Sequence, residues 1–276
     1  MGKLFHSKTH TEPYKTFESN LINLLGFLNT TEAYFQKQRK NMKERLKEAR
    51  HELPLAEKEF EKLIDTLDNK ERVYKSEEKH VTVLSDKIYD LMDVDLFMPM
   101  DIKQFRQFSE IVRLLGLSYL ITIFEGYLGD IVRKVLLTHP DALKSSKQIT
   151  VETLLCLRER KQIIAHLADN EVNELLYRPF PNIVRYFKKK FNLDLNACVV
   201  SPETIEEIMQ TRNIHVHNRG LVNQRYLESV KKTTLKVGAY KPITRKYLVE
   251  SIDSVETFVE FINSEVERKY FANKTS

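Results

Sequence analysis

The chain has 276 residues, of which 42% are hydrophobic and 30% are charged, a balance that allows a buried core and excludes a compositionally disordered chain. Only 7 residues are glycine and 8 are proline, which disfavours β-sandwich and α/β folds because these need turn residues at every strand end. The net charge of +5 is compatible with a polyanionic partner but does not require one.

Cysteine usage and apolar runs bear on the compartment and on cofactors. Cys156 and Cys198 cannot form a disulfide framework and belong to no metal-ligand spacing. The N-terminus has no apolar signal core, and the longest apolar run, residues 111–128, is interrupted by polar and charged residues. His6 and His10 are spaced like helical metal ligands, but no third ligand lies nearby in the sequence. We therefore expect a cytoplasmic protein with no membrane association, no cofactor and no metal.

The first third of the sequence is highly charged and has a helical pattern. From Phe17 to about Met92, apolar residues recur at three- and four-residue spacing. Pro54 interrupts this pattern and suits the start of a new helix better than the middle of one. We expect residues 1–98 to form a long, antiparallel helical hairpin as an accessory region, with a hinge at residues 93–101.

Residues 99–276 have the pattern of a helical bundle. A long helix over residues 105–137 is apolar on almost every side in its middle, which is typical of a buried central helix. Thr150 can cap a helix that extends to about residue 167, and Pro179 opens a short amphipathic helix. The sequence therefore predicts an all-α fold.

Two further helices complete the predicted bundle. Ser201 and Pro202 form a strong helix start, and Gly220 is a suitable stop. Thr244 can cap the last helix after a loop that could hold a small hairpin near Val237. The predicted core face of the last helix consists of Tyr247, Leu248, Ile252, Val255, Phe258, Val259 and Ile262.

The helix that begins at Pro202 carries an unexpected arginine. At about 100° per residue, Arg212 lies near the centre of an apolar stripe. That stripe comprises Ile205, Ile208, Met209 and Val216. A guanidinium keeps its charge, so it must reach solvent, pair with an acid or face a polar cleft. Asn213 and His217 share one edge of the stripe and His215 lies on the other. An ordinary surface helix end also carries basic residues, so the pattern alone leaves both interpretations open.

Glu125 is the expected partner of Arg212. It is the only acidic residue between Ile111 and Gly129, within the most apolar helix of the chain. A buried carboxylate needs a partner, and Arg212 is the obvious candidate. Pairing with Arg113, or a position at a gap in the surface, is the alternative.

The segment around Arg212 resembles a known family. Residues 212–217, Arg-Asn-Ile-His-Val-His, resemble the Arg-x-x-x-x-His motif of the HEPN superfamily, including the Asn that often follows its Arg. Residues 218–227 are similar to the segment after that motif in bacterial members. The resemblance covers residues 105–270 in helix order and leaves the N-terminal hairpin outside. It implies an all-α bundle of four or five helices.

The resemblance also implies metal-independent RNA cleavage, as in toxin, abortive-infection and antiviral ribonucleases. His217 would be the acid/base, Arg212 would hold the phosphate, and Asn213 would orient either His217 or the phosphate. Glu125 would fix Arg212, and His215 would be supporting. Because one histidine is too few for two proton transfers, two motifs would meet across the twofold axis of a homodimer.

A basic and aromatic patch could contact RNA. Aromatic Tyr186 and Phe187 are interleaved with basic side chains on the short amphipathic helix. The candidate phosphate contacts are Arg185, Lys188, Lys189, Lys190 and Arg219. A solvated helix face is the alternative. Two functions thus stay open: a dimeric ribonuclease, with an antitoxin or other defence-system protein as partner, or a non-catalytic helical module that binds RNA or protein.

Overall fold

The computed structural model describes residues 10–48, 102–143, 149–157, 159–231 and 233–272. These residues form helices and no β-strand, which confirms the all-α prediction. The helices are α1 (Glu12–Glu48), α2 (Ile102–Thr138), α3 (Val151–Cys156), α4 (Arg160–Leu176), α5 (Phe180–Phe191), α6 (Pro202–Asn218), α7 (Gln224–Ser229) and α8 (Arg245–Val266). Short 3-10 turns at Pro140–Leu143 and Leu195–Ala197 and a π-helical turn at Glu267–Phe271 complete the secondary structure.

The chain divides into two compact units. Residues 1–24 and 114–276 form one unit, and residues 25–113 form the other. The second helix of the predicted hairpin, the Pro54 junction and the hinge at 93–101 lie outside the described residues. The boundary predicted between residues 98 and 99 lies there too and stays a prediction. The candidate site lies entirely in the first unit.

The core of the first unit is built around α2. Phe124 of α2, Phe180 of α5 and Phe258 of α8 form a triad of rings whose centroids are 6.0 to 6.3 Å apart. Residues of α2 that are fully buried include Leu117, Leu120, Ile121, Leu128, Ile131, Val132, Val135 and Leu136. The prediction of a buried central helix is therefore confirmed for most of its circumference. One face stays open, and its exposed residues are Leu115, Tyr119, Thr122 and Gly126.

By length and composition, residues Phe108–Thr138 of α2 could also cross a membrane. The core helix of a soluble protein has the same properties. Somewhat under half of its most apolar window is buried inside the fold, including Phe124 of the ring triad. The expectation that the protein has no membrane association stays a prediction.

The helix predicted from Thr150 to about residue 167 is wrong in its length. Thr150 does cap a helix, because its hydroxyl accepts a hydrogen bond from the backbone N–H of Thr153 at 3.2 Å. However, α3 ends at Cys156 and Leu157 is extended. A new helix start follows, where the Gln162 side chain accepts from the Glu159 N–H at 3.2 Å and α4 begins. The predicted single helix is therefore two helices, each with its own local cap.

The loop after α6 also differs from expectation. A short helix, α7, follows Asn223, whose side chain accepts from the Tyr226 N–H at 2.8 Å. Gly238 forms a tight turn with φ +84°, but the two sides of that turn do not pair as strands. Instead, Tyr240 forms an isolated antiparallel bridge with Leu221. This bridge brings the segment before α8 against the end of α6.

Candidate active site

Helix α6 carries the site and has well-defined ends. Ser201 accepts from the Thr204 N–H at 3.3 Å, and Pro202 occupies the first helical position. At the other end, Arg219 and Gly220 both have left-handed backbones, with φ +55° and +76°. The Gly220 N–H donates to the Ile214 carbonyl at 3.0 Å, which terminates the helix.

The apolar stripe predicted around Arg212 is wrong at Met209 and Val216. The buried residues of α6 include Ile205, Ile208, Thr211 and Ile214, whereas Val216 is 51% exposed and Met209 is partly exposed. Residues three apart advance by about 300° on a helix, so a buried face that follows this spacing drifts around the axis. Toward its C-terminus, α6 therefore turns Arg212 out of the core and toward a partly open face.

Arg212 pairs with the expected acid. One terminal nitrogen of its guanidinium, Nη2, donates to Glu125 Oε1 on α2 at 3.0 Å. The Arg212 side chain is 20% exposed and that of Glu125 is 39% exposed. Burial raises the pKa of the Glu125 carboxyl above its usual range, and the charge and hydrogen bond of Arg212 only partly oppose that shift. The alternative pairing of Glu125 with Arg113 is not what the structure shows.

Arg212 retains donors that the described residues do not satisfy. A guanidinium has five N–H donors, and Glu125 Oε1 is the only acceptor for them in the described part of the chain. Arg212 Nε is buried without a hydrogen-bond partner there. Buried unsatisfied donors are rare, but this nitrogen has almost no accessible surface and is closed to a ligand. The Arg212 side chain as a whole is 20% exposed, so its terminal donors are the ones that a phosphate oxygen can meet.

Asn213 and His217 lie one turn apart on α6. Asn213 is half-buried and His217 is exposed, and neither has a hydrogen-bond partner among the described residues. Arg212 and His217 are five residues apart, which corresponds to about 7.5 Å along the axis and about 140° around it. The structure therefore brings Arg212 to Glu125 but does not bring His217 into contact with Arg212 within one chain.

His215 is held by the backbone rather than presented to solvent. Its Nε2 lies 2.7 Å from the Lys241 carbonyl, and because a carbonyl only accepts, Nε2 carries the proton. Its ring packs edge-on against Tyr240, with centroids 5.7 Å apart. A histidine whose nitrogen is engaged in this way is suited to support the site rather than to transfer protons.

A buried polar cluster behind the motif was not expected from the sequence. The Glu207 carboxylate accepts hydrogen bonds from Thr211 at 3.0 Å, Tyr226 at 3.1 Å and Tyr247 at 2.9 Å, and it pairs with Lys241 at 2.5 Å. We call these five residues the Glu207 cluster. It joins α6, α7 and α8 to the segment whose carbonyl holds His215. Only the spacing of Glu207 and Thr211, one turn apart on α6, is visible in the sequence.

The predicted RNA contacts on α5 are mostly engaged within the chain. Lys188 pairs with Asp194 at 2.8 Å and Lys190 with Glu171 at 3.8 Å. Arg185 bonds to Asn182 and to the Pro181 carbonyl. In the described part of the chain, Lys189 has no such partner, and Arg219 is exposed at the end of α6. Of these residues, only Arg219 lies directly beside the motif.

Within the described ranges, no group of three His, Cys, Asp or Glu side chains could hold a metal ion. Searches against known protein families, curated proteins and solved structures return no match for this chain. The functional argument therefore depends on the residues and on the geometry around α6.

Proposed function

We propose that the protein is a metal-independent endoribonuclease of the HEPN type that acts as a homodimer. The observation that carries the proposal is the incompletely satisfied Arg212, which pairs with Glu125 at partly exposed positions and lies on the helix that also carries Asn213 and His217. A purely structural ion pair has no need of spare donors or of an exposed histidine five residues further along the helix.

The proposed chemistry uses the ribose of the RNA itself as the source of the nucleophile. His217 of one subunit takes the proton from a 2′-hydroxyl, and the 2′-oxygen attacks the adjacent phosphorus. The bond from phosphorus to the 5′-oxygen breaks, and that oxygen receives a proton from the second imidazole. The products are a 2′,3′-cyclic phosphate and a 5′-hydroxyl.

Arg212 stabilises the charge that builds up on the phosphate during this reaction. The terminal donors that Glu125 leaves free can bind the non-bridging oxygens, while Glu125 holds the guanidinium in place. Asn213, also without a described partner, orients either the phosphate or His217. DNA should resist cleavage because it lacks the attacking hydroxyl.

The homodimer supplies the second imidazole. His217 is the one exposed histidine of the motif, since His215 is engaged with the Lys241 carbonyl. The open face of α2 borders Glu125 at Thr122 and exposes the apolar side chains of Leu115 and Tyr119 further toward the N-terminus, where a second copy can pack. We infer that this face and the C-terminal half of α6 meet their equivalents across a twofold axis.

The direct test is cleavage of single-stranded RNA in excess EDTA. We expect cyclic-phosphate ends, and His217→Ala and Arg212→Ala should each lower the rate by about 100- to 10,000-fold. Arg133→Ala is the matched control for Arg212, because Arg133 also joins α2 to another helix through an acid, Asp169, at 2.5 Å. His166→Ala is the matched control for His217. Both controls should keep most of the activity.

Two results would overturn the mechanism. Activity that disappears in EDTA and returns with magnesium would show a metal-dependent catalyst. Cleavage of DNA at the same rate as RNA would exclude attack by the 2′-hydroxyl. Activity that survives in both Arg212→Ala and His217→Ala would move the active site away from α6.

The biological setting that we propose follows from the resemblance to toxin and antiviral ribonucleases. In the cytoplasm the enzyme would act on cellular or invading RNA under the control of an antitoxin or another defence-system protein. Expression of the wild-type chain should then slow cell growth, and expression of the His217→Ala variant should not.

A further inference from the structure

Tyr240 stands directly beside the motif with its ring half open to solvent. The residue is 41% exposed, and its isolated bridge to Leu221 places it just beyond the end of α6. A Cβ atom on Gly220 would lie 2.5 Å from Tyr240 Cε2 and 2.8 Å from His215 Cε1. The ring therefore lies against the bare backbone of Gly220, next to Arg219.

The backbone on both sides of Tyr240 is fixed in place. On its N-terminal side the Ala239 carbonyl accepts from the Val222 N–H at 2.9 Å, and on its C-terminal side the Lys241 N–H donates to the Gly220 carbonyl at 3.0 Å. The Lys241 side chain is anchored in the Glu207 cluster. A residue with a fixed backbone, whose ring packs against His215 and Gly220, loses less freedom when a ligand stacks on it than a residue in a loose loop.

We propose that Tyr240 is the stacking platform for one base of the bound RNA strand, next to the phosphate held by Arg212. This inference rests on the proposed ribonuclease site for its ligand. A half-exposed aromatic ring near cationic residues such as Arg219 is an arrangement that suits single-stranded nucleic acid, because every base has a π-face to stack. Double-stranded RNA keeps its bases stacked on each other and does not fit this platform. The preferred substrate class is therefore unpaired RNA, with little base preference at this position.

The absence of tryptophan from the sequence makes the test direct. In a Tyr240→Trp variant, the new indole is the only one in the chain and reports on its own surroundings. We expect a single-stranded RNA oligonucleotide with 2′-O-methyl riboses, which cannot be cleaved, to quench its fluorescence. An abasic oligonucleotide with the same backbone charge should quench it much less. Tyr177→Trp is the control, because Tyr177 is 93% exposed at the end of α4 and should report no binding.

A second set of variants measures the contribution of the ring. Tyr240→Leu should raise Kd for the same oligonucleotide about 5- to 100-fold, the range typical of one stacked base. The dependence of Kd on salt should not change, because stacking neutralises no phosphate. Tyr240→Phe keeps the ring and should bind like the wild type. Circular dichroism of Tyr240→Leu checks that the helices remain.

The outcomes separate this inference from the proposed function. Quenching without cleavage of any RNA supports the platform and counts against the enzyme. Cleavage without quenching supports the enzyme and overturns the platform. Equal quenching by the abasic and the complete oligonucleotide overturns it too, since the signal would then follow backbone binding alone. A Tyr240→Phe variant that binds as poorly as Tyr240→Leu would also overturn it.

Discussion

Arg219 adopts a backbone conformation that a non-glycine residue rarely takes. Its φ of +55° lies in the left-handed region, which costs an L-residue about 1–2 kcal/mol. The next residue is a glycine that shares this conformation without that cost. The fold therefore keeps a strained arginine, exposed and beside the motif, where glycine would be the more stable choice. Retaining strain at such a position is consistent with a role in binding.

We predict that Arg219→Gly raises the free energy of unfolding by about 0.5–1 kcal/mol, since relief of the strain is partly offset by the flexibility of glycine when unfolded. Arg219→Ala should give no such gain, because alanine keeps the strain. Both variants should bind RNA more weakly through the lost charge. Urea denaturation and oligonucleotide titration measure the two effects. Equal stability of the Gly and Ala variants would contradict the argument from strain.

Glu125 offers a test through pH. Because its pKa is raised in the folded protein, the folded state binds this proton more tightly than the unfolded state does. The free energy of unfolding should then fall as pH rises from the ordinary glutamate pKa of about 4.3 through the raised value. A glutamine does not titrate, so the wild type should lose stability relative to Glu125→Gln across this window. The other carboxyl groups contribute equally to the pH dependence of both proteins, so their contribution cancels in the difference. A wild type that gains relative stability with rising pH would reverse the sign and disprove the raised pKa.

At the level of elements, sequence patterns predicted helices where a strong cap coincides with long periodicity. Thr150, Ser201 and Thr244 each accept the hydrogen bond that the sequence predicts for them. The break after Cys156 was not predicted because no glycine or proline marks it and it depends on a local cap at Glu159. Helix α7 was not predicted because six residues are too few to show the 3.6-residue periodicity of apolar positions.

The candidate site was predictable only in part. The pairing of Arg212 with Glu125 follows from two charges that have no other place in apolar helices. The Glu207 cluster brings together residues up to 40 positions apart along the chain, and nothing local marks Tyr226, Lys241 or Tyr247 as partners of one carboxylate. The sequence also did not predict that the buried face shifts around α6 along its length, because this shift depends on which helices pack against each turn.

The Glu207 cluster gives a prediction at this scale. Removal of the carboxylate in Glu207→Ala leaves the largely buried Lys241 and three hydroxyl groups without their acceptor, which should cost about 3–5 kcal/mol. Lys241→Met should cost less, because Glu207 keeps its three hydroxyl donors. Urea denaturation of both variants measures the difference. Glu250→Ala removes an exposed pair with Lys246 and should change stability by less than about 1 kcal/mol. A larger loss of stability in Lys241→Met than in Glu207→Ala would show that the hydroxyl bonds do not stabilise the carboxylate.

At the scale of the whole molecule, the apolar helix α2 has two roles. Most of its circumference forms the core of the first unit, but Leu115 and Tyr119 remain exposed on a face that borders Glu125 at Thr122. Apolar side chains grouped at a functional site often mark an interface. The proposed chemistry needs a second imidazole that one chain does not present. A second copy on this face would supply that imidazole and cover the apolar surface.

We therefore predict that the protein is a homodimer at micromolar concentration, with a mass by light scattering of twice the 32.6 kDa of the chain. Leu115→Asp places a charge on the proposed interface, where burial without a partner is costly, and should yield a monomer. This monomer should retain its helical circular dichroism spectrum and lose RNA cleavage, because each active site would lack its second histidine.

Val249→Asp is the matched control, since Val249 is an equally exposed aliphatic residue on α8 that lies outside the proposed interface. It should leave both mass and activity unchanged. A wild-type monomer with full activity, or a Leu115→Asp monomer as active as the wild type, would show that one chain carries the complete site and that the face on α2 serves another purpose.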